Sequence, residues 1–299
     1  MNMQMSRADW AILLILAVLW GGSFFFIGIA IHSVAPMTLV LLRVSLASAF
    51  LWIWRLIRRQ PLGLSAAIAP ALLVLALLNN VLPFILFAWA QRTIPSGLAS
   101  ILNATTPIWG VIVAHGFTHD ERMTLPKLAG VVLGFVGVAV MIGADLLGQI
   151  GTHALAQLAC LVATLCYALA GVWGRRFRGL GVSPVGVATG SLTAAALVLV
   201  PLVLLFEPPW HAGGPTPQAW AAMIGLAFFC TALAYILYFR LLASAGATNS
   251  LLVTFLIPVT AILLGTFALG EQLAPRHFAG MALIGLGLAA IDGRLLRRR

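Results

Sequence analysis

Along the chain, apolar residues run in blocks of about 20, the length a helix needs to cross a bilayer, separated by short clusters of charge, proline or glycine. The blocks predict ten spans, near 10–31, 36–54, 69–91, 95–115, 125–143, 153–174, 183–206, 218–241, 248–269 and 276–294. The first four breaks fall at His32-Ser33-Val34-Ala35, Arg55 to Leu64, Arg92-Thr93-Ile94 and Thr118 to Thr124. In lipid only helices and closed barrels satisfy every backbone polar group, and the alternation of a barrel strand appears nowhere. The pattern therefore predicts an all-α integral membrane protein. The first block, Trp10 to Ile31, is longer than a signal-peptide core and no small-residue cleavage site follows it, so it reads as the first helix.

Composition removes the soluble alternatives. Of 299 residues, 62% are hydrophobic and 8% charged, whereas soluble domains carry about 25% charged residues. A water-soluble enzyme and a disordered chain are excluded, and no extramembrane domain is large enough to do chemistry by itself. The net charge of +10 would suggest nucleic acid in a soluble protein, but its placement gives another meaning. With the N-terminus in the cytoplasm, 14 of the 17 basic residues fall inside: Arg7, Arg55, Arg58, Arg59, Arg122, Lys127, Arg175, Arg176, Arg178, Arg240, Arg294, Arg297, Arg298 and Arg299. Only Arg92 and Arg276 fall outside, and Arg43 lies within a span. Asp9, Asp120, Glu121 and Asp292 are inside, Asp145, Glu207 and Glu271 outside. This asymmetry follows the positive-inside rule, so both termini are expected in the cytoplasm, with inner arginines beside anionic lipid headgroups and no nucleic-acid partner. Cys160, Cys166 and Cys230 sit inside apolar runs and read as small buried hydrophobes.

The chain also repeats itself. Laying residue n on n+150 pairs Glu121 with Glu271, Ala129 with Ala279, Gly130 with Gly280, Leu133 with Leu283, Gly137 with Gly287 and Ala139 with Ala289. Ser100 then meets Ser250 and Leu102 meets Leu252, and a one-residue slip sets Pro107 on Pro258. Trp20 falls roughly opposite Tyr167. The expected organisation is two five-helix repeats, 1–148 and 149–299. Because five is odd, the second copy enters the membrane from the opposite side, and inverted repeats around a central site are a recurring design of secondary transporters.

The Trp20-Gly21-Gly22-Ser23-Phe24 segment, Arg43 early in the second span, the small-residue-rich run to Pro107 and the twin Glu-x-Leu/Met…Gly endings carry a resemblance. The whole chain is similar to the ten-helix exporters with two EamA domains of the drug/metabolite transporter superfamily, and within it to YddG-type aromatic amino-acid exporters. That resemblance implies a monomer in a bacterial cytoplasmic (inner) membrane. It further implies a central cavity enclosed by the first, third, fourth, sixth, eighth and ninth helices, and export of amino acids by alternating access. Another cargo, such as a drug, a nucleotide sugar or a different metabolite, is the alternative. An intramembrane enzyme is disfavoured, since such chemistry needs clustered acids or histidines and no acids pair within a span.

Polar groups in mid-span are costly unless they face a partner or a cavity. Asn79 and Asn80 precede Pro83 in the third span, and neighbouring residues on a helix cannot face the same way, so at least one is expected to point inward. Asn103, Thr105 and Thr106 precede Pro107, which removes a donor and frees a carbonyl one turn back. Such a break could hold substrate or be a kink whose threonines bond their own helix, and Thr254 before Pro258 carries the same choice. Trp20, with Ser23 one turn on, Tyr167 and Tyr235 are expected as cavity walls, with Thr231 as a further cavity hydroxyl and Pro83, Pro107 and Pro258 as kinks. Trp52, Trp54, Trp89, Trp173, Trp210 and Trp220 read as interfacial belt. Arg43 could meet a substrate carboxylate, but its helix lies outside the implied cavity, so a structural hydrogen-bonding role is expected. Glu121 and Glu271 read as helix N-terminal caps. Gly130-x-x-x-Gly134 suggests close helix packing. No nucleotide loop or zinc motif occurs, so no cofactor or metal is expected. No span carries an acid at its centre, which leaves no evident proton or sodium site.

Overall fold

The computed structural model describes residues 5–59, 66–94, 96–120, 123–143, 150–151, 153–207, 214–260 and 274–292. These residues form helices and no strand. In order they are α1 (Arg7–Ala30), α2 (Pro36–Ile57), α3 (Ala69–Ala76), a π turn (Leu77–Val81), α4 (Leu82–Ala90), α5 (Ser96–Asn103), α6 (Thr106–Phe117), α7 (Leu125–Ile142), α8 (Ala154–Gly174), α9 (Arg176–Gly179), α10 (Pro184–Phe206), α11 (Pro217–Ala227), a second π turn (Phe228–Leu233), α12 (Ala234–Leu251) and α13 (Pro275–Asp292). A further helical run covers 253–260.

Local chemistry sets the helix starts. Ser6 and Asp9 form a reciprocal capping box on α1, with Asp9 N donating to Ser6 Oγ at 3.1 Å and Ser6 N to Asp9 Oδ2 at 2.9 Å. Ser183 and Thr216 cap α10 and α11, each followed by proline at the first helical position. Ala35 cannot cap α2. Glu207 does so from the end of α10, accepting from Met37 N at 3.2 Å and Thr38 N at 2.8 Å. A carboxylate at a helix N-terminus takes orphan donors and meets the positive end of the dipole.

Seven helical segments are long and apolar enough to cross a membrane, and 125–140 and 275–291 are shorter apolar helices. The expected count of ten spans is not reached among the described residues. One segment, Pro217–Leu251, is 35 residues long. Its eighth and ninth expected spans are joined across Gly246, whose φ of 84° and ψ of 176° end one helix and begin the next. The remainder of the ninth span, from 261, lies outside the described residues.

Helices 150 residues apart pack reciprocally. α2 lies on α10 and α7 on α13, while α1 contacts α11 and α12 just as α8 contacts α3 and α4. The α7/α13 contact shows the relation at atomic scale. A Cβ on Gly130 would sit 2.6 Å from the Gly287 carbonyl oxygen, one on Gly287 2.5 Å from that of Gly130, and one on Gly137 2.8 Å from that of Gly280. Rising numbers on α7 meet falling numbers on α13, so the two helices are antiparallel. Only glycine permits this approach, which gives Gly130 and Gly134 the close packing their spacing suggests.

Candidate substrate cavity

The two π turns shape the centre of the bundle. A π turn widens one helical turn, exchanges an i−4 bond for an i−5 bond and leaves a carbonyl to find another donor. In the first, Leu82 N reaches back to Leu77 O. Pro83 follows and has no N–H for the carbonyl of Asn79, four residues earlier. The Tyr235 hydroxyl, from α12, lies against this turn. Its Oη lies 3.2 Å from Asn79 O and 2.6 Å from Asn80 Oδ1, and Asn79 Nδ2 donates to it at 3.2 Å. The hydroxyl has one proton, and the shorter geometry gives it to Asn80. Asn80 Nδ2 donates to Ser191 O at 3.4 Å. In the second turn Ala234 N reaches back to Phe229 O. Trp20 Nε1 donates to the freed Cys230 carbonyl at 3.1 Å, and Thr231 Oγ1 donates to Leu226 O at 2.8 Å.

Between the turns is a cavity of about 80 Å3. Of the residues singled out from sequence, Trp20, Ser23, Asn79, Asn103, Thr106, Tyr167 and Tyr235 line it. Asn80 and Thr231, each fully buried, stand behind the wall and hold Tyr235 and Arg43 in place. At the break before Pro107, where Asn103 and Thr106 also face the cavity, the threonines bond their own helix, Thr105 Oγ1 donating to Leu102 O at 2.7 Å and Thr106 Oγ1 to Asn103 O at 2.6 Å. Thr254 does the same to Leu251 O at 2.8 Å, ahead of Pro258.

Arg43 differs from its expectation. Its helix was expected outside the cavity, yet the side chain crosses from α2 into the wall. There its Nε donates to Thr231 Oγ1 at 2.9 Å and its guanidinium lies 3.7 Å from the centroid of the Phe84 ring. The structural bond is present, and the guanidinium reaches the cavity as well. A helix's rank in the bundle does not limit the reach of a side chain with four rotatable bonds.

Sequence reading also missed Phe24, Phe84, Phe87 and Tyr238, which complete an aromatic wall. Phe87 stacks on Tyr167 at 6.2 Å and 17°, and Tyr238 tilts against Trp20 at 5.4 Å. Their signal was helical spacing, because Tyr238 lies one turn beyond Tyr235 and Phe87 one turn beyond Pro83. That spacing is submerged where every neighbour is apolar.

A second, wider cavity of about 1080 Å3 opens at the end that carries Asp120, Arg175, Arg176 and Arg178. Val113, Leu169 and Val172 line it, and they pack with Leu251 of the central cavity. A thin apolar septum therefore separates the two spaces, and Leu251 fits because Gly110 carries no side chain, a Cβ there falling 2.7 Å from Leu251 Cδ1. At the rim Arg175 forms a two-pronged ion pair with Asp120, with Nη1 to Oδ1 at 3.0 Å, which holds the Asp120 carboxyl below the usual range. Arg178 Nη1 donates to Ala243 O at 2.7 Å.

Of the expected interfacial tryptophans, Trp54, Trp89 and Trp220 are exposed on the bundle surface. Trp52 and Trp173 spend their indole N–H on Thr193 Oγ1 and Ala71 O, both at 3.0 Å. Trp210, Glu121 and Glu271 lie outside the described residues, as do the caps expected of the two acids. No cluster of metal-ligating side chains occurs among the described residues.

The EamA-like transporter family matches the chain twice, over residues 9–143 and 154–291. A relative from Streptantibioticus cattleyicolor, named a probable terminal-alkyne amino-acid exporter, is 28% identical over 99% of this chain and 97% of its own. One from Escherichia coli, named a probable amino-acid metabolite efflux pump, is 26% identical over 95% of this chain and 94% of its own. A solved crystal structure 20% identical in sequence superposes with a TM-score of 0.78 over 98% of this chain and 100% of the other, which shows a shared fold.

Proposed function

Since the chain belongs to the EamA-like transporter family and is a multi-pass membrane transporter, we propose that it exports amino acids and related small metabolites across a bacterial cytoplasmic membrane. The observation that carries this reading is the central cavity. It is walled by both halves of the chain, flanked by aromatic faces, and supplied with neutral polar groups from Ser23, Asn79, Asn103 and Tyr235. Flat or apolar side chains suit the Phe87–Tyr167 and Trp20–Tyr238 faces, where stacking adds about 0.5–1.5 kcal/mol beyond burial.

Residues 1–148 and 149–299 act as two inverted five-helix repeats. The antiparallel α7/α13 contact and the reciprocal packing of helices 150 residues apart support this organisation. Alternating access follows when the halves rock about that contact, with the apolar septum at Leu251 as the barrier toward the arginine-rich side. That side is cytoplasmic by the positive-inside rule, as are both termini. The cavity is enclosed by one chain, which supports a monomer as the transporting unit.

Purified protein in liposomes should show saturable, competable flux of radiolabelled amino acids. Tyr167→Ala removes one face of the stacked pair and should lower that flux about tenfold at unchanged expression. Absence of flux for every amino acid would end the proposal.

A further inference from the structure

The central cavity holds one permanently charged group, and among the described residues nothing opposite in sign faces it. Arg43 is 5% exposed, and no carboxylate lines the space around it. Asp9 bonds Ser6 and Ser244, Asp120 pairs with Arg175, and Glu207 caps α2, so each of these acids is engaged at an end of the bundle. An unpaired cation in the membrane interior is costly, and chains retain one where a partner arrives in the working cycle.

The surroundings of Arg43 leave one part of it available. Thr231 Oγ1 takes Nε, and Thr231, inside the second π turn, is itself fixed by donating to the Leu226 carbonyl of α11. Phe84 covers one face of the guanidinium plane. Among the described residues the paired Nη1 and Nη2 donors make no bond to a protein acceptor, and together they form the edge that matches a carboxylate in two-pronged geometry. The other polar groups of the wall are amides and hydroxyls, so no anionic site awaits a cargo ammonium.

We infer that Arg43 is the anion receptor of the cavity, binding the cargo's carboxylate through Nη1 and Nη2, with Thr231 as the residue that positions it. Resting on the exporter reading above, this makes an acid group the required element of the cargo and an amino group dispensable. Amines and cationic drugs of the same size and aromatic surface are excluded.

The test uses purified full-length protein and three probes that share one ring system: an aromatic amino acid, its deaminated arylpropionate and its decarboxylated arylethylamine. Thermal stabilisation in detergent reads binding, and competition for flux in liposomes reads transport. The acid and the amino acid should stabilise the wild type, and the amine should bind at least about tenfold more weakly, the scale of a charge-assisted pair. Arg43→Gln should abolish the preference. Thr231→Val should reduce the acid-over-amine ratio, which a purely structural role would leave unchanged. An amine that binds the wild type as well as the acid overturns the inference without recourse to any variant. Acid-selective binding with no flux of any probe would instead sink the exporter reading and leave the receptor standing.

Discussion

The π turn at Leu77–Val81 and the one at Phe228–Leu233 lie about 150 residues apart in a chain that matches one family model twice. The first precedes Pro83 and carries two amides, whereas the second has no proline and carries a thiol and a hydroxyl. Both free a carbonyl toward the centre of the bundle, and both meet an aromatic side chain of the other half there, the Tyr235 hydroxyl 3.2 Å from Asn79 O and the Trp20 indole N–H on Cys230 O. The backbone device is shared, and the side chains around it differ. In the first turn the amides are satisfied by Tyr235 and Ser191. In the second the hydroxyl is spent on fixing a cation that reaches it from the other half. A shared backbone irregularity thus supplies the place, and the side chains around it supply the chemistry.

Three substitutions break this comparison at different depths. Thr231→Val leaves Arg43 Nε without its acceptor in a fully buried setting, and a lost bond to a buried charge should cost about 3 kcal/mol. Thermal unfolding in detergent measures it, and a neutral result would mean that Arg43 finds another acceptor. Tyr235→Phe removes the hydroxyl that serves Asn79 and Asn80. The expected loss is about 1–2 kcal/mol, since the acceptor left behind is buried but uncharged. If Tyr235→Phe proved as damaging as Thr231→Val, the two turns would be equal in energy and the contrast between them would fail. Trp20→Phe keeps an aromatic ring against Tyr238 and deletes only the N–H to Cys230 O. A loss of about 1 kcal/mol is expected, because one neutral bond at the edge of a cavity can be replaced by water.

Much of the fold was legible because lipid imposes a coarse rule. Each block near 20 residues long must be a helix, and proline or Ser/Thr at its start marks where the helix begins, as at Pro36, Ser183 and Thr216. The duplication was legible too, and Gly130, Gly137, Gly280 and Gly287, which identified it, are the residues at which α7 and α13 touch. The helix break at Gly246 falls in the interval expected between the eighth and ninth spans, where glycine interrupts the apolar run. Polar residues in mid-span pointed to the cavity, since Asn79, Asn103 and Ser23 are conspicuous against aliphatic neighbours. Phe24, Phe84, Phe87 and Tyr238 were not conspicuous at all.

By itself the sequence determined that this chain crosses a membrane many times, that a pattern of its residues recurs about 150 positions on, and that a few polar residues lie where water does not. These follow from hydropathy and from self-comparison, which need no coordinates. Only the tertiary structure decided that Asn80 and Thr231 stand behind the wall rather than in it, and that Arg43 reaches the cavity from α2. Those outcomes depend on contacts between residues more than 100 positions apart, such as Arg43 with Thr231 and Tyr235 with Asn80. The direction of a side chain is set by the rotation of its helix against its neighbours, and that rotation is fixed by packing after the helices have met.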